Sequence, residues 1–192
     1  MALRTTLAWL LLALTLCPAS AGAAPREAAM THDLPRLATL HDQDQRDREG
    51  ASMDWEAVAK RDEARRREVL RIIRQGRLRT ANDHFRAALI FQHGEALEDY
   101  LQAFALARMA LAIDPRHPSA GWLAAASWDR ALLARQKTQW YGTQFELDEP
   151  SGTLSLSPVA EGAVSDDERR RLGVPALAES KARQRRISTT SR

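Results

Sequence analysis

The chain has a single cysteine among 192 residues, Cys17. It falls in a stretch that reads as a removable export signal. Arg4 sits in a short positive region, an apolar run follows from Leu7 to Leu16, and small residues end in Ala21-Gly22-Ala23 before Ala24-Pro25. Cleavage near Ala23 is expected to leave a periplasmic or secreted product with no thiol, which excludes disulfides, cysteine catalysis and thiolate metal sites. Lipidation at Cys17 is disfavoured by Leu16 before it and Pro18 after it. Long hydrophobic runs are also lacking: the stretch at the N-terminus is too short for a transmembrane helix and no later one is longer. A dominant charge sign is missing too, since 28 Lys and Arg face 25 Asp and Glu for a formal net charge of +3. Such a balance gives no basis for nucleic-acid binding. The basic run from Lys181 to Arg186 reads as a solvated tail, with contact to an anionic surface as the weaker option.

Common catalytic signatures are absent as well. There is no Gly-rich phosphate loop, no His-Glu-x-x-His pair and no Gly-x-Ser-x-Gly elbow. No metal site and no cofactor are expected.

What is present is helical periodicity broken by clear stop signals. Residues 1–23 are assigned to the signal, 24–33 to a disordered linker, and 34–136 to a helical domain. A docking loop and hairpin take 137–162, and short helices with a basic tail take 163–192. A first helix is expected from Leu34 to about Glu49, with Leu37, Leu40, His41 and Asp44 along one face. Ser52 is placed to cap a second that ends at Gly76. A third runs from about Thr80 to His93, apolar all round between Ala87 and Phe91 and so central and buried. A fourth, Leu97 to Ile113, is halted by Asp114-Pro115, and a fifth starts at Ser119. Short connections favour antiparallel neighbours. The segment from Ala110 to Ala126 resembles the helix junction of a tetratricopeptide repeat, in one copy. Phe145, Leu147, Leu154 and Leu156 alternate around a turn through 148–152, which predicts a β-hairpin. Ser165 to Glu168 form a capping box. The fold class is therefore mainly α: an antiparallel helical bundle, or tetratricopeptide-like hairpins, with a small C-terminal β-hairpin.

Polar residues interrupt the faces that should be buried. The stripe on the second helix is Trp55, Val58, Asp62, Arg65, Val69, Ile72 and Ile73; on the fifth it is Trp122, Ala125, Ala126, Asp129, Leu132 and Leu133, with Arg130 at its margin. On the third helix Asp83, His84 and Gln92 sit among alanines, Ile90 and Phe91. Burying an unpaired carboxylate costs several kcal/mol. Asp62, Asp83 and Asp129 are accordingly expected to share one interior cluster with Arg65, Arg130 or a histidine. Either that cluster fixes helix register, or it is a ligand or catalytic site.

Several blocks resemble an uncharacterised family of bacterial proteins, many of them exported, known as a domain of unknown function. They are Asp44-Gln45-Arg46-Asp47-Arg48, Asp62 with Arg65-Arg66, Asn82-Asp83-His84, Ile90 to Gly94, Asp99-Tyr100 and Trp122 to Ala126. The most specific is Asp129-Arg130 followed by Gln139-Trp140-Tyr141-Gly142-Thr143-Gln144, with Arg169-Arg170 and Leu172-Gly173-Val174 further on. Thr138 stands where the resemblance leads one to expect proline. The resemblance supports the fold and brings no activity with it. In the distinctive block, Gly142 suggests a tight turn, while Tyr141, Thr143 and Gln144 supply packing and hydrogen bonds. The loop either docks on the bundle or lines the polar cluster.

Two classes of function fit. The first is a binding or interaction module for a peptide or another envelope protein. The second is a small hydrolase-like enzyme using Asp83, His84 or His93, with arginine stabilising negative charge. An immunity or inhibitor protein for an envelope toxin is a third option. His84 and His93 are nine residues apart, roughly 13 Å along a helix, so only one can belong to a given site. His93 is the favoured residue. A concave pocket holding acids and a histidine in hydrogen-bond contact would favour chemistry, and a solid polar network would favour scaffolding.

Overall fold

The computed structural model describes residues 32–49, 54–148 and 153–190. The expected signal, the capping residue Ser52 and most of the hairpin turn lie outside the described residues. Seven helices and one two-stranded sheet form among those described: α1 (Pro35–Arg46), α2 (Trp55–Arg74), α3 (Ala81–Gln92), α4 (Leu97–Ile113), α5 (Ala120–Ala134), β1 (Phe145–Asp148), β2 (Thr153–Leu156), α6 (Asp166–Arg171) and α7 (Leu177–Thr190). The chain is thus mainly helical with a small antiparallel hairpin.

Several helices begin where a side chain satisfies free amide groups. Asp54 caps α2 by accepting from the Ala57 amide at 3.0 Å. Thr80 and Asp83 form a reciprocal capping box at the start of α3. For α5 the capping acceptor comes from before the N-cap Ser119. The His117 ring Nδ1 accepts from the amides of Ser119 and Ala120 at 3.3 and 3.1 Å. Gly76, at φ +62°, closes α2 in a left-handed conformation that other residues adopt at a cost.

Helix α3 is central, packed against α1, α2, α4 and α5. Its buried face includes Ala87, Ala88, Ile90 and Phe91, which join Leu37, Leu40, Val69, Ile72 and Leu123 in the main core. Alanines on α4 (Ala103, Ala107, Ala110) and α5 (Ala120, Ala124) are all buried. Small side chains there let the two helices approach closely, so α4 and α5 pack as an antiparallel pair across the short Asp114–Ser119 link.

A second, smaller core gathers Ala125, Tyr141, Val164 and Val174, with Trp128 and Leu172 against it. It attaches the C-terminal third of the chain to α5. The contact is tight: a Cβ on Gly121 would lie 2.8 Å from the Leu172 carbonyl oxygen. In the hairpin, Phe145 pairs with Leu156 and Leu147 with Leu154.

Two residues assigned to buried stripes are exposed. Trp55 is 59% exposed and Trp122 43%. Both lie in the first turn of their helices, at the margin of the packed faces, while the later members Val58, Asp62, Arg65, Val69 and Ile72 are buried as the periodicity requires.

Candidate functional site

The three interior acids do not share one cluster. They occupy three places, and backbone amides rather than arginines satisfy two of them. Asp83 accepts from the amides of Leu34 at 2.7 Å, Arg79 at 3.1 Å and Thr80 at 3.2 Å, tying the start of α1 to the start of α3. Asp129, fully buried, accepts from the amides of Trp140, Tyr141 and Thr143 at 2.8, 3.0 and 3.1 Å and from the Thr143 hydroxyl at 2.8 Å. Three convergent N–H groups stabilise a carboxylate without a counter-ion. Only Asp62 meets arginines, accepting from Arg48 Nη2 and Arg65 Nη2, each at 2.6 Å. His84 is a core histidine, its Nδ1 2.9 Å from the Thr80 carbonyl oxygen. Gln92 accepts from the Ser127 hydroxyl at 2.7 Å.

The Tyr141-Gly142-Thr143-Gln144 block is the loop that Asp129 anchors. Gly142 has φ +79°, and a Cβ there would meet Leu177 at 3.4 Å, so the backbone needs glycine for its conformation. Gln139, fully buried, braces the loop from within: it donates to the carbonyls of Gln144 and Ser157 and accepts from the Gln144 amide. From the other side Arg169, 3% exposed, donates to the carbonyls of Trp140, Tyr141 and Val164. Burial and the hydrogen bond donated to Glu168 push the Tyr141 phenol up to about 12.

A separate network joins α1, α2 and the end of α3. Asp44 is fully buried and accepts from Gln45 Nε2 at 2.7 Å, Arg48 Nη1 at 3.1 Å and His93 Nδ1 at 2.9 Å. Arg65 donates to Asp47 as well as Asp62, and Arg61 completes the Asp47 pair at 2.8 Å. Desolvation raises the Asp44 carboxyl, but the His93 hydrogen bond and charge, Arg48 and Gln45 outweigh it and hold the group below its ordinary range. Asp47 is lowered likewise, its burial outweighed by Arg61 and Arg65.

These depressed carboxyls fix the sign of an acid effect. Their stabilisation is complete well above the unfolded value of 3.8 and is lost as pH falls below it towards the folded values. The unfolding free energy is therefore expected to decline below about pH 5. Asp44→Asn should flatten part of that decline while costing about 2 kcal/mol at neutral pH. Urea melts across the acid range check both; an unchanged acid slope in the variant contradicts the assignment.

On the solvent side of this network lies a cleft of about 780 Å³. Arg48, Trp55, Asp62, Arg66, His93 and Arg130 are among its lining residues. Two guanidiniums bracket the end of α3: Arg130 Nη1 donates to the Gln92 carbonyl at 2.7 Å, and Arg66 Nη1 to the His93 carbonyl at 3.3 Å. Gly94 leaves room for the Asp99 side chain, which a Cβ there would overlap. That carboxylate lies 3.5 Å from Arg66 Nε.

Arg130 differs from its neighbours. It makes no ion pair among the described residues. Its Nε donates to Gln144 Oε1 at 3.0 Å, and its guanidinium carbon stands 5.8 Å from the centre of the Tyr100 ring. Burial lowers its pKa from the ordinary arginine value, offset by Tyr100 and reinforced by the repulsion of Arg48.

Of the residues singled out from sequence, Asp44, Asp62, Arg65 and His93 come together in one network, and Asp62, His93 and Arg130 line the cleft. Gln144 reaches it through Arg130. Asp83 and His84 lie elsewhere, while Asp129, Tyr141 and Thr143 belong to the loop anchor. Arg48, Asp47, Arg66, Gln139 and Arg169 were not singled out as site residues. All five lie in the blocks that carry the family resemblance, and the i, i+4 spacing of Asp44 and Arg48 is a further signal for the first. Among the described residues no three His, Cys, Asp or Glu side chains are placed to share a metal ion, and no helix is long and apolar enough to cross a membrane. Comparison with protein families, curated proteins and solved structures finds no match to this chain.

Proposed function

We propose that this chain is an exported binding module whose cleft takes a small ligand through a carboxylate group. One observation carries the reading: Arg130, a half-buried guanidinium lining the cleft, has no carboxylate partner among the described residues. The other cations of the cleft floor are balanced. Arg48 is held by Asp44 and Asp62, Arg66 lies beside Asp99, and His93 is bonded to Asp44. Lys60 pairs with Glu56, so among the described residues Arg130 is the lining Lys or Arg without an ion-pair partner. Glu95, which also lines the cleft, is exposed at the rim, where water screens its charge.

A guanidinium has five N–H donors. Two of those on Arg130 are taken by Gln144 and the Gln92 carbonyl, which leaves three for a ligand. A carboxylate suits both the single charge and the planar donor edge. Trp55, exposed beside the cleft, offers an apolar face for the rest of the ligand.

The test is an NMR titration of the full chain with acetate and with inorganic phosphate at low salt. Acetate is expected to shift the amides flanking His93 and Arg130, and Arg130→Gln to weaken its binding at least about tenfold with the urea midpoint little changed. Absence of any shift, or equal binding by the variant, sinks the reading. A partner protein is the second reading, supported by Leu101, Met109 and Ile113, which are exposed along α4.

A further inference from the structure

The same cleft holds a histidine set up for proton transfer. His93 ends α3, and its Nδ1 lies 3.0 and 2.9 Å from the two oxygens of Asp44. An ionised carboxylate only accepts, so Nδ1 carries the hydrogen. In the neutral ring the lone pair is then on Nε2. No described residue bonds Nε2, and His93 is among the residues that line the cleft. Asp44 is itself held by Gln45 and Arg48, so the imidazole has both a fixed tautomer and a fixed plane. Arg130 approaches the same end of α3, bonded to the carbonyl of Gln92 immediately before His93.

His117 has both nitrogens engaged, with Asn82 on one and two amides on the other, and His84 is enclosed in the core. In His93 one nitrogen is engaged with a buried acid and the other has no partner among the described residues, and the residue lines a cleft that Arg130 also lines. That division of roles is the one acid–base catalysis requires.

We propose that the cleft hydrolyses a carboxylic ester, with Nε2 of His93 as the proton-transfer atom and Arg130 stabilising the oxyanion. The inference rests on the carboxylate-binding reading, because the oxygen that becomes the product carboxylate occupies the same place beside Arg130. A water on Nε2 gives up a proton to it as the water oxygen bonds to the carbonyl carbon. The carbonyl π electrons move onto oxygen, where one new negative charge meets one uncompensated guanidinium. As those electrons return, the bond to the alcohol oxygen breaks, and the departing oxygen takes the proton from Nε2. Ester and water become acid and alcohol, and His93 is restored. Asp44 is a positioning residue: it fixes the ring and stabilises the imidazolium formed on the way.

The charge count chooses among hydrolytic substrates. A phosphate monoester brings two negative charges to a cleft with one unpaired guanidinium and with Glu56, Asp62, Glu63 and Glu95 among its lining residues. A neutral ester brings none until the transition state, so the single guanidinium acts where charge develops rather than in the ground state.

The experiment measures hydrolysis of p-nitrophenyl acetate by the purified chain, with acetate binding followed in parallel. Hydrolysis above buffer is expected, lowered about 100-fold in kcat/KM by His93→Gln while acetate binding and the urea midpoint persist. The glutamine amide can still donate to Asp44, which keeps the local structure. Added imidazole should restore rate to His93→Ala, an effect that a purely structural histidine would not produce. Acetate binding without hydrolysis overturns the catalytic inference and leaves the binding reading standing. Hydrolysis equal in His93→Gln overturns it too, by placing the reaction elsewhere. Failure to bind acetate at all removes the reading on which the inference rests, and the inference with it.

Discussion

Replacing Asp129 by alanine is expected to lower the unfolding free energy by about 4 kcal/mol. The carboxylate accepts four hydrogen bonds, three of them from backbone amides of Trp140, Tyr141 and Thr143. Each buried donor left without a partner costs about 1 to 3 kcal/mol. Asparagine should recover little of this, because its amide nitrogen is a donor facing other donors. Trp140 supplies a local probe, since its ring stands 5.4 Å from Trp128, edge to face. Its fluorescence should change in the variant before the core unfolds. A urea midpoint close to that of the parent chain would show that the loop is held by something other than this carboxylate.

Arg169→Met should cost about 3 kcal/mol for the complementary reason. The guanidinium donates to carbonyls of the same loop whose amides Asp129 accepts. The peptide unit between Trp140 and Tyr141 is gripped at both ends, its carbonyl by Arg169 at 2.8 Å and its N–H by Asp129 at 3.0 Å. Methionine fills much of the volume but leaves the carbonyls of Trp140, Tyr141 and Val164 without their donors. Lysine retains a charge and one or two of the bonds, so its cost should fall between. Because both residues act on one peptide, Asp129→Ala and Arg169→Met should be non-additive by about 1 to 2 kcal/mol in a double-mutant cycle. Strict additivity of the two losses is the contrary result.

The helices were legible because their ends carry chemistry that stands out in a sequence. Ser165 with Glu168, Gly76 and Asp114-Pro115 each mark a boundary through a requirement of the backbone. The burial of Asp62, Asp83 and Asp129 was legible for the same reason, from the phase of the apolar residues around them. Their partners were not. An acid on an apolar stripe announces that something must satisfy it, but a backbone N–H has no side-chain signature, and for Asp83 and Asp129 the donors are backbone amides. The single cluster was therefore the wrong inference from a correct premise. His93 was legible as a helix-end residue beside a candidate polar group. Its partner Asp44 lies 49 positions earlier, and no local spacing links the two. Arg66 and Arg48 line the cleft from positions outside the apolar stripe, where an arginine is indistinguishable from ordinary solvated charge. Trp55 and Trp122 erred in the opposite direction. Periodicity gives the direction in which a side chain points, and whether a neighbour stands there is a tertiary fact.

Asp129 and Arg130 are consecutive, and the chain divides labour between them. The first holds the loop backbone. The second enters the cleft while being held by Gln144, the last residue of that loop. Any free energy gained by a ligand on Arg130 is thus shared with the loop, and any free energy that keeps the loop closed is shared with the ligand. The coupling is reciprocal by necessity. The residues lining the cleft all belong to the first five helices and their links, yet the Arg130 bond to Gln144 ties it to the last third of the chain. A ligand held on Arg130 would therefore slow any proteolysis that begins with the opening of that loop.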